Sequence, residues 1–216
     1  MAGNEQTITA LTAQKKNQER VNVFLDGAFA FGLPLATAVH LKVGQSLAPG
    51  EIEALKQEDL LDKVKQTAYR LISIRPRSID EVRRHLDRKG YDEQLIETAV
   101  NHLIAVDLLN DETFARYWVE QRETFKPRSQ LAIRQELHQK SISRSIIEHV
   151  LSDVDETAAA YRAATNKARI WANYPEQEFK TKLGNFLQRR GFHYEIINQI
   201  TDELWQSITK EKEIEN

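Results

Sequence analysis

Residues 77–91 lie in register over 128–142, and again over the residues that end at Phe192, so much of the chain is three copies of one short pattern. Val82 matches Ile133 and Leu183, Leu86 matches Leu137 and Leu187, and Tyr91 matches Ile142 and Phe192. Further on, Ile96, Ile147 and Ile197 coincide, as do Ala99, Val150 and Ile200, then Leu103, Val154 and Leu204. Almost every matched position is apolar, as a repeated core requires. A repeat at this interval points to one small packed unit used three times. Pro76, Pro127 and Pro175 stand ahead of helical patterns and punctuate the same interval. Spacing within each copy is helical, and each reads as three helices. In the first copy these are residues 61–73, 78–89 and 92–106. Ser78 with Glu81 has the spacing of a capping box, which starts the middle helix. Gly90 and Gly191 suit the left-handed residue that ends one.

A lone three-helix unit buries little apolar surface, so neighbours are expected to share a core. The reading is a mainly α protein: three tandem three-helix repeats in an elongated curved array, at 61–109, 110–153 and 154–208. Residues 51–60 are a linker or the start of the first repeat helix, and 209–216 a charged tail. Residues 1–50 differ. Val21, Val23 and Leu25 alternate with Asn22 and Phe24, then Asp26-Gly27 offers the positive φ pair of a type I′ hairpin turn. Residues 8–13 precede them, across a polar turn at Gln14-Lys15-Lys16-Asn17. This predicts a three-strand meander, followed by a helix from Pro34 through Leu35, Val39 and Leu41 toward Gly44. Phe29 and Phe31, alternating in the third strand, are expected on the sheet's inner face; turned outward they would be anchors for a partner.

Thirty Lys and Arg against 32 Asp and Glu give a net charge of −2, which argues against a chain held to DNA by bulk charge alone. There are no cysteines, which excludes disulfides, thiolate metal sites and a cysteine nucleophile. No apolar run reaches the ~20 residues that span a bilayer, and the first residues lack an apolar signal core. A cytoplasmic protein is expected. The six histidines form no His-Glu-x-x-His pair, and no Walker, dinucleotide or nucleophile-elbow glycine pattern occurs. Neither catalysis nor a cofactor is expected. His85 and His138, aligned one position before matched leucines, read as polar flanks of a helix. Trp118, Trp171, Trp205, Phe114 and Tyr161 fall within helical patterns and read as core.

Charge is uneven along the chain. Residues 63–89 hold nine Lys and Arg against three acids. Interface candidates are Arg75, Arg77, Arg84 and Arg88 in the first unit. In the second they are Arg122, Lys126, Arg128, Arg134 and Lys140, and in the third Arg189 and Arg190. With Ile79, Val82 and Leu86 turned inward, Arg84 and Arg88 point to the opposite side. Arg128 and Lys126 flank Pro127 in a connection and are expected on the surface. Lys89, Lys140 and Arg190 each end a helix, where a cation complements the macrodipole by ~0.3–1 kcal/mol. A structural and a binding role both stay open for them.

These units resemble the RecX family of bacterial regulatory proteins. The resemblance rests on Arg77-Ser78 with Glu81, Leu86 and Lys89-Gly90. It continues through Leu109-Asn110-Asp111, Phe114-Ala115, Arg122, Glu136-Leu137 and Lys140, then Phe186-Leu187 and Arg189-Arg190-Gly191-Phe192. The N-terminal segment is similar to the extension some members carry. One departure is Ser141, where the family has glycine. The resemblance implies a non-enzymatic modulator that binds the RecA filament on single-stranded DNA, along its groove, and inhibits recombinase, ATPase and coprotease activities. It implies a monomer with no membrane contact and at most weak direct contact with DNA. The alternative weighed is a helical DNA-binding regulator acting without RecA, since three-helix units share the outline of helix-turn-helix modules.

Overall fold

Alternation in the N-terminal segment produces three antiparallel strands, β1 (Gln6–Gln14), β2 (Asn17–Leu25) and β3 (Ala28–Pro34), with a two-residue β4 (Ser46–Leu47) added on the far side of β1 in the order β3-β2-β1-β4. The computed structural model describes residues 4–15 and 17–215; Lys16 of the expected polar turn lies outside them. Asp26 (φ 50°) and Gly27 (φ 85°) form the hairpin turn with the two positive φ values it needs. Ile8, Val21, Val23, Leu25, Phe31 and Leu33 make the sheet's buried face, closed by Leu47 and Ile52.

Two expectations for this segment fail for visible reasons. Val23 pairs with Phe31 and Phe24 with Phe29, so Ala30 is an extra residue in β3. This bulge breaks the alternation. Phe31 stays inside while Phe29 turns outward, 60% exposed and edge-on to Phe24 at 5.9 Å. The helix after Pro34 is a single turn, α1 (Leu35–Ala38). Beyond it the backbone is drawn into bonds with β1: Gly44 N–H donates to the Ile8 carbonyl and Ile8 N–H to that of Gln45, both at 2.8 Å.

Pro49 then opens α2 (Pro49–Ile72), a 24-residue helix that includes residues 51–60. The Glu51 carboxylate accepts the Ala48 N–H at 2.7 Å, and proline at the first position has no donor to leave unmet. Ile52, Val64 and Ala68 are buried, and so is the charge of Asp59. Arg20 of β2 and Lys63 pair with Asp59, and Arg20 also reaches Asp62 at 3.0 Å.

The remaining helices are α3 (Ile79–Asp87) and α4 (Glu93–Ala105), then α5 (Asp111–Phe125), α6 (Gln130–His138) and α7 (Arg144–Leu151), then α8 (Glu156–Trp171), α9 (Glu176–Gln188) and α10 (Tyr194–Glu215). They form three three-helix domains, whose cores are the matched apolar positions of the sequence. Val82, Ile133, Leu183, Leu86, Leu137 and Leu187 are all inaccessible or nearly so. By packing, the chain falls into two compact units: Met1–Arg75 with Val82–Leu108, and Pro76–Glu81 with Leu109–Asn216. Among the described residues no helix is long and apolar enough to cross a membrane.

The middle helices α3, α6 and α9 share their terminal chemistry in part. Buried Ser78 and Ser129 accept the Glu81 and Ala132 N–H groups, each at 3.1 Å, and so cap α3 and α6. After each middle helix comes a left-handed residue: Gly90 (φ 80°), Ser141 (φ 61°) and Gly191 (φ 91°). The next N–H reaches back to a helical carbonyl, Tyr91 to Leu86, Ile142 to Leu137 and Phe192 to Leu187. Ser141 thus takes a conformation that disfavours a side chain by about 1–2 kcal/mol. Ser141→Gly is expected to raise stability by about 0.5–1 kcal/mol once the greater freedom of unfolded glycine is subtracted. A melting temperature raised by roughly 1–4 °C would show it, and an unchanged or lower one would mean that Ser141 carries a compensating contact.

Candidate partner interface

Two helix-to-helix bridges recur exactly one repeat apart in the first and second domains. Arg83 of α3 holds Glu97 of α4 through two bonds of 2.7 and 2.8 Å. Arg134 of α6 holds Glu148 of α7 at 2.9 and 3.1 Å. The hydrogen bonds from the arginines hold the Glu97 and Glu148 carboxyls below the usual carboxylate range, and donating to Glu148 raises Arg134. Gly184 and Asn198 occupy the equivalent places in the third domain, where Lys180 instead bridges α9 to Asp202 of α10 at 2.6 Å. Arg134 therefore has a structural task inside its own domain.

A denser cluster lies where α5 meets α6. Trp118 and Arg122 sit one turn apart on α5, Arg128 comes from the connection, and Glu136 and Lys140 sit one turn apart on and beyond α6. One oxygen of Glu136 accepts both the Trp118 indole N–H and Arg122 Nε at 2.7 Å. Its other oxygen meets Arg128 Nη1 at 2.9 Å. The Arg122 guanidinium stands 4.6 Å and the Lys140 ammonium 5.3 Å from the Trp118 ring centre, within cation–π range. Lys140 also reaches the Glu81 carboxylate at 2.5 Å, beside Arg77. The cluster lines a cleft of about 390 Å³. Arg128 is half-buried rather than on the surface, because Glu136 draws it in, and its buried Nε has no hydrogen-bond partner among the described residues. Cations outnumber carboxylates here, so the cleft offers an anion charge-assisted donors and one aromatic face.

A second basic point lies at the end of α9. Arg190 Nη1 donates to the Pro127 carbonyl at 2.8 Å, and its guanidinium stands 4.6 Å from the Phe186 ring centre. Burial, then the charge of Arg128, lowers the Arg190 pKa. Ser129 N–H donates to the Arg190 carbonyl at 3.1 Å, so this helix end is docked on the start of α6. The same relation holds one domain earlier, where Lys140, the match of Arg190, meets Glu81 near the start of α3. The Ile79 N–H donates to Asp111 at 2.9 Å and the Gln130 N–H to Glu156 at 3.3 Å, again one repeat apart.

Of the eleven cations singled out in the sequence, Arg84, Arg88, Lys126 and Arg189 are exposed. Arg75 and Arg77 are half-buried, like the cluster residues and Arg190. Glu81, Glu136 and Trp118 were not read as site residues. The signal that could have found the carboxylates is register: Glu97 and Glu148 coincide in the repeat, and Glu136 lies fourteen residues after Arg122, the same separation that joins Arg83 to Glu97 and Arg134 to Glu148. Tyr161, expected in the core, is exposed on α8, where alanines 159, 160, 163 and 164 fill the interior. Phe114 is buried, and Trp118, Trp171 and Trp205 are half-buried against their domain cores. Among the described residues no three His, Cys, Asp or Glu side chains gather as metal ligands would.

Comparison with known proteins matches the chain throughout. Residues 6–48 match the regulatory protein RecX N-terminal domain, and 65–103, 110–151 and 153–201 match the first, second and third three-helix domains of RecX. The regulatory protein RecX of Clostridium botulinum (strain Eklund 17B / Type B) is 32% identical over 203 residues, covering 91% of this chain and 95% of that one. That of Bacillus pumilus (strain SAFR-032) is 32% identical over 213 residues, 96% of this chain and 81% of the relative. A crystal structure of regulatory protein RecX superposes with a TM-score of 0.72 at 25% identity over 91% of this chain and 99% of that one. RecX from Lactobacillus salivarius gives 0.59 at 26% identity over 68% and 97%.

Proposed function

The chain belongs to the RecX family of regulatory proteins, and from this premise we propose that it is a non-enzymatic, cytoplasmic modulator that binds the RecA filament assembled on single-stranded DNA and inhibits its recombinase, ATPase and coprotease activities. The observation that carries the reading is the match of all four segments to the family, in order and over nearly the whole chain. The surface chemistry supports it. Arg84 and Arg88 stand exposed on α3, and the Trp118 cleft holds Arg122, Arg128 and Lys140 against the carboxylates Glu136 and Glu81. Such cations serve either the phosphates of the enclosed strand or acidic protein surface.

Retention by RecA is the test, with and without single-stranded DNA and a non-hydrolysable nucleotide, and with DNA alone as control. Retention that requires the assembled filament supports the proposal. Equal retention by DNA alone would turn the reading to a DNA-binding regulator acting without RecA, and retention by neither would remove both. The double variant Arg84→Glu, Arg88→Glu should keep the wild-type melting temperature, because both side chains are exposed. It should weaken filament binding by roughly tenfold, the range of charge reversal at an electrostatic interface. Wild-type affinity in that folded variant would take α3's outer face out of the interface.

A further inference from the structure

Two clefts of the second and third domains meet at the Pro127-Arg128 connection. The Trp118 cleft, bordered by Arg128, lies on one side. On the other, Phe125, Pro127, Arg162, Lys167, Phe186 and Arg190 line a cleft of about 280 Å³. Arg190 ties the two together, because its guanidinium donates to the Pro127 carbonyl, immediately before Arg128.

Among the described residues the two linings carry six cations and two carboxylates, on a chain whose net charge is −2. The excess of positive charge is therefore local, and the rest of the protein is acidic. Pairing inside the tract leaves much of it in place. Glu136 answers both Arg122 and Arg128 with a single charge, and Glu123 is spent on Arg162 at 3.0 Å. Lys140 is met by Glu81. Lys167 and Arg190 meet no carboxylate among the described residues. Lys167 stands 5.7 Å from the Trp171 ring centre and Arg190 4.6 Å from that of Phe186. Rings and a carbonyl fix these two cations without neutralising them, and charge held this way attracts an anion.

Trp118, Trp171 and Phe186 each carry a cation, but Phe125 is a different kind of ring. It ends α5 on the lining of the second cleft and is 76% exposed. A polyanion with unstacked bases answers both features at once, its phosphates meeting the cations and a base meeting the ring. An acidic protein surface would have to gather several mutually repelling carboxylates around one apolar contact. A duplex keeps its bases inside the stack and offers Phe125 no face.

We propose that this tract binds single-stranded nucleic acid directly, with phosphates on Arg128, Arg190 and Lys167 and one base against Phe125. The proposal goes beyond the filament reading above, because this chain's own residues hold the strand. Its main test needs no RecA, so either can fail without the other.

That test titrates labelled oligothymidylate, and an abasic strand of equal length, and follows fluorescence anisotropy. Phe125→Ala should weaken oligothymidylate binding by about fivefold or more, the scale of one lost stacking contact. It should leave the abasic strand unaffected, and Phe125→Trp should restore the loss. Lys167→Gln should weaken both strands and flatten the slope of log affinity against log salt by about 0.7. Melting temperatures confirm folding. Failure of the wild-type protein to bind the single strand would overturn the proposal. So would a Phe125→Ala effect that is absent or equal on the two strands, or an unchanged salt slope in Lys167→Gln. Loss of filament retention by Phe125→Ala with strand affinity intact would make Phe125 a protein contact and overturn it as well.

Discussion

Gly191→Ala is expected to destabilise the protein by about 3 kcal/mol or more. Two effects add. The left-handed backbone, φ 91°, disfavours any side chain by about 1–2 kcal/mol. The new methyl would also stand 2.5 Å from Ser129 Oγ and 3.1 Å from the Ala132 side chain. Ser129 cannot yield cheaply, because it caps α6 and its N–H binds the Arg190 carbonyl. Losing such a cap typically costs about 1 kcal/mol. Gly90→Ala supplies the control, with a similar φ of 80° and open space around it. It should lose only the backbone part. Urea unfolding followed by far-ultraviolet circular dichroism suits the comparison, since helices of all three domains contribute to that signal. Equal losses for the two variants would show that the contact at Ser129 contributes nothing.

Glu136→Leu should be nearly as damaging, at about 2–3 kcal/mol. The carboxylate serves the Trp118 indole N–H, Arg122 and Arg128 at once, and its side chain is only 15% exposed. Removing the common acceptor strands three donors in a half-buried site, and stranded charges dominate such losses. The figure stays below that of a fully buried pair because water reaches the arginines. Glu136→Gln, which keeps one acceptor oxygen, should recover about half. The leucine variant should also bind DNA alone more tightly, because Arg122 and Arg128 are released to meet phosphates. Wild-type stability in the leucine variant would mean that the three donors find other acceptors.

The architecture was legible because the repeat is written in apolar residues. Val82, Ile133 and Leu183 share a register, and that register fixes which face of each middle helix turns inward. The N-terminal strands were legible for the same reason, but Phe29 was not. A bulge is one residue of slack that the alternation of Phe29 and Phe31 cannot reveal, because the partner strand decides it. The segment after Pro34 has apolar spacing fit for a helix, yet at Gly44 and Gln45 its backbone is bonded to Ile8 of β1, a tertiary preference that local pattern does not hold. The site was half visible. Its cations stood out by number, but their pairing depends on which helices cross. Arg134 looks like Arg84 on paper; in the folded domain one is locked to Glu148 and the other is exposed to solvent.

The junctions have one more consequence. The second three-helix domain presents both halves of the joint in use: Asp111 and Lys140 outgoing, and the Ser129 start incoming. A segment whose two ends fit each other can be copied in line without redesigning either neighbour, as a link can be added to a chain of identical links. The third domain lacks the incoming half, with buried Phe179 where the serine would stand. A further copy of the second domain would therefore meet both of its neighbours through joints the chain already uses.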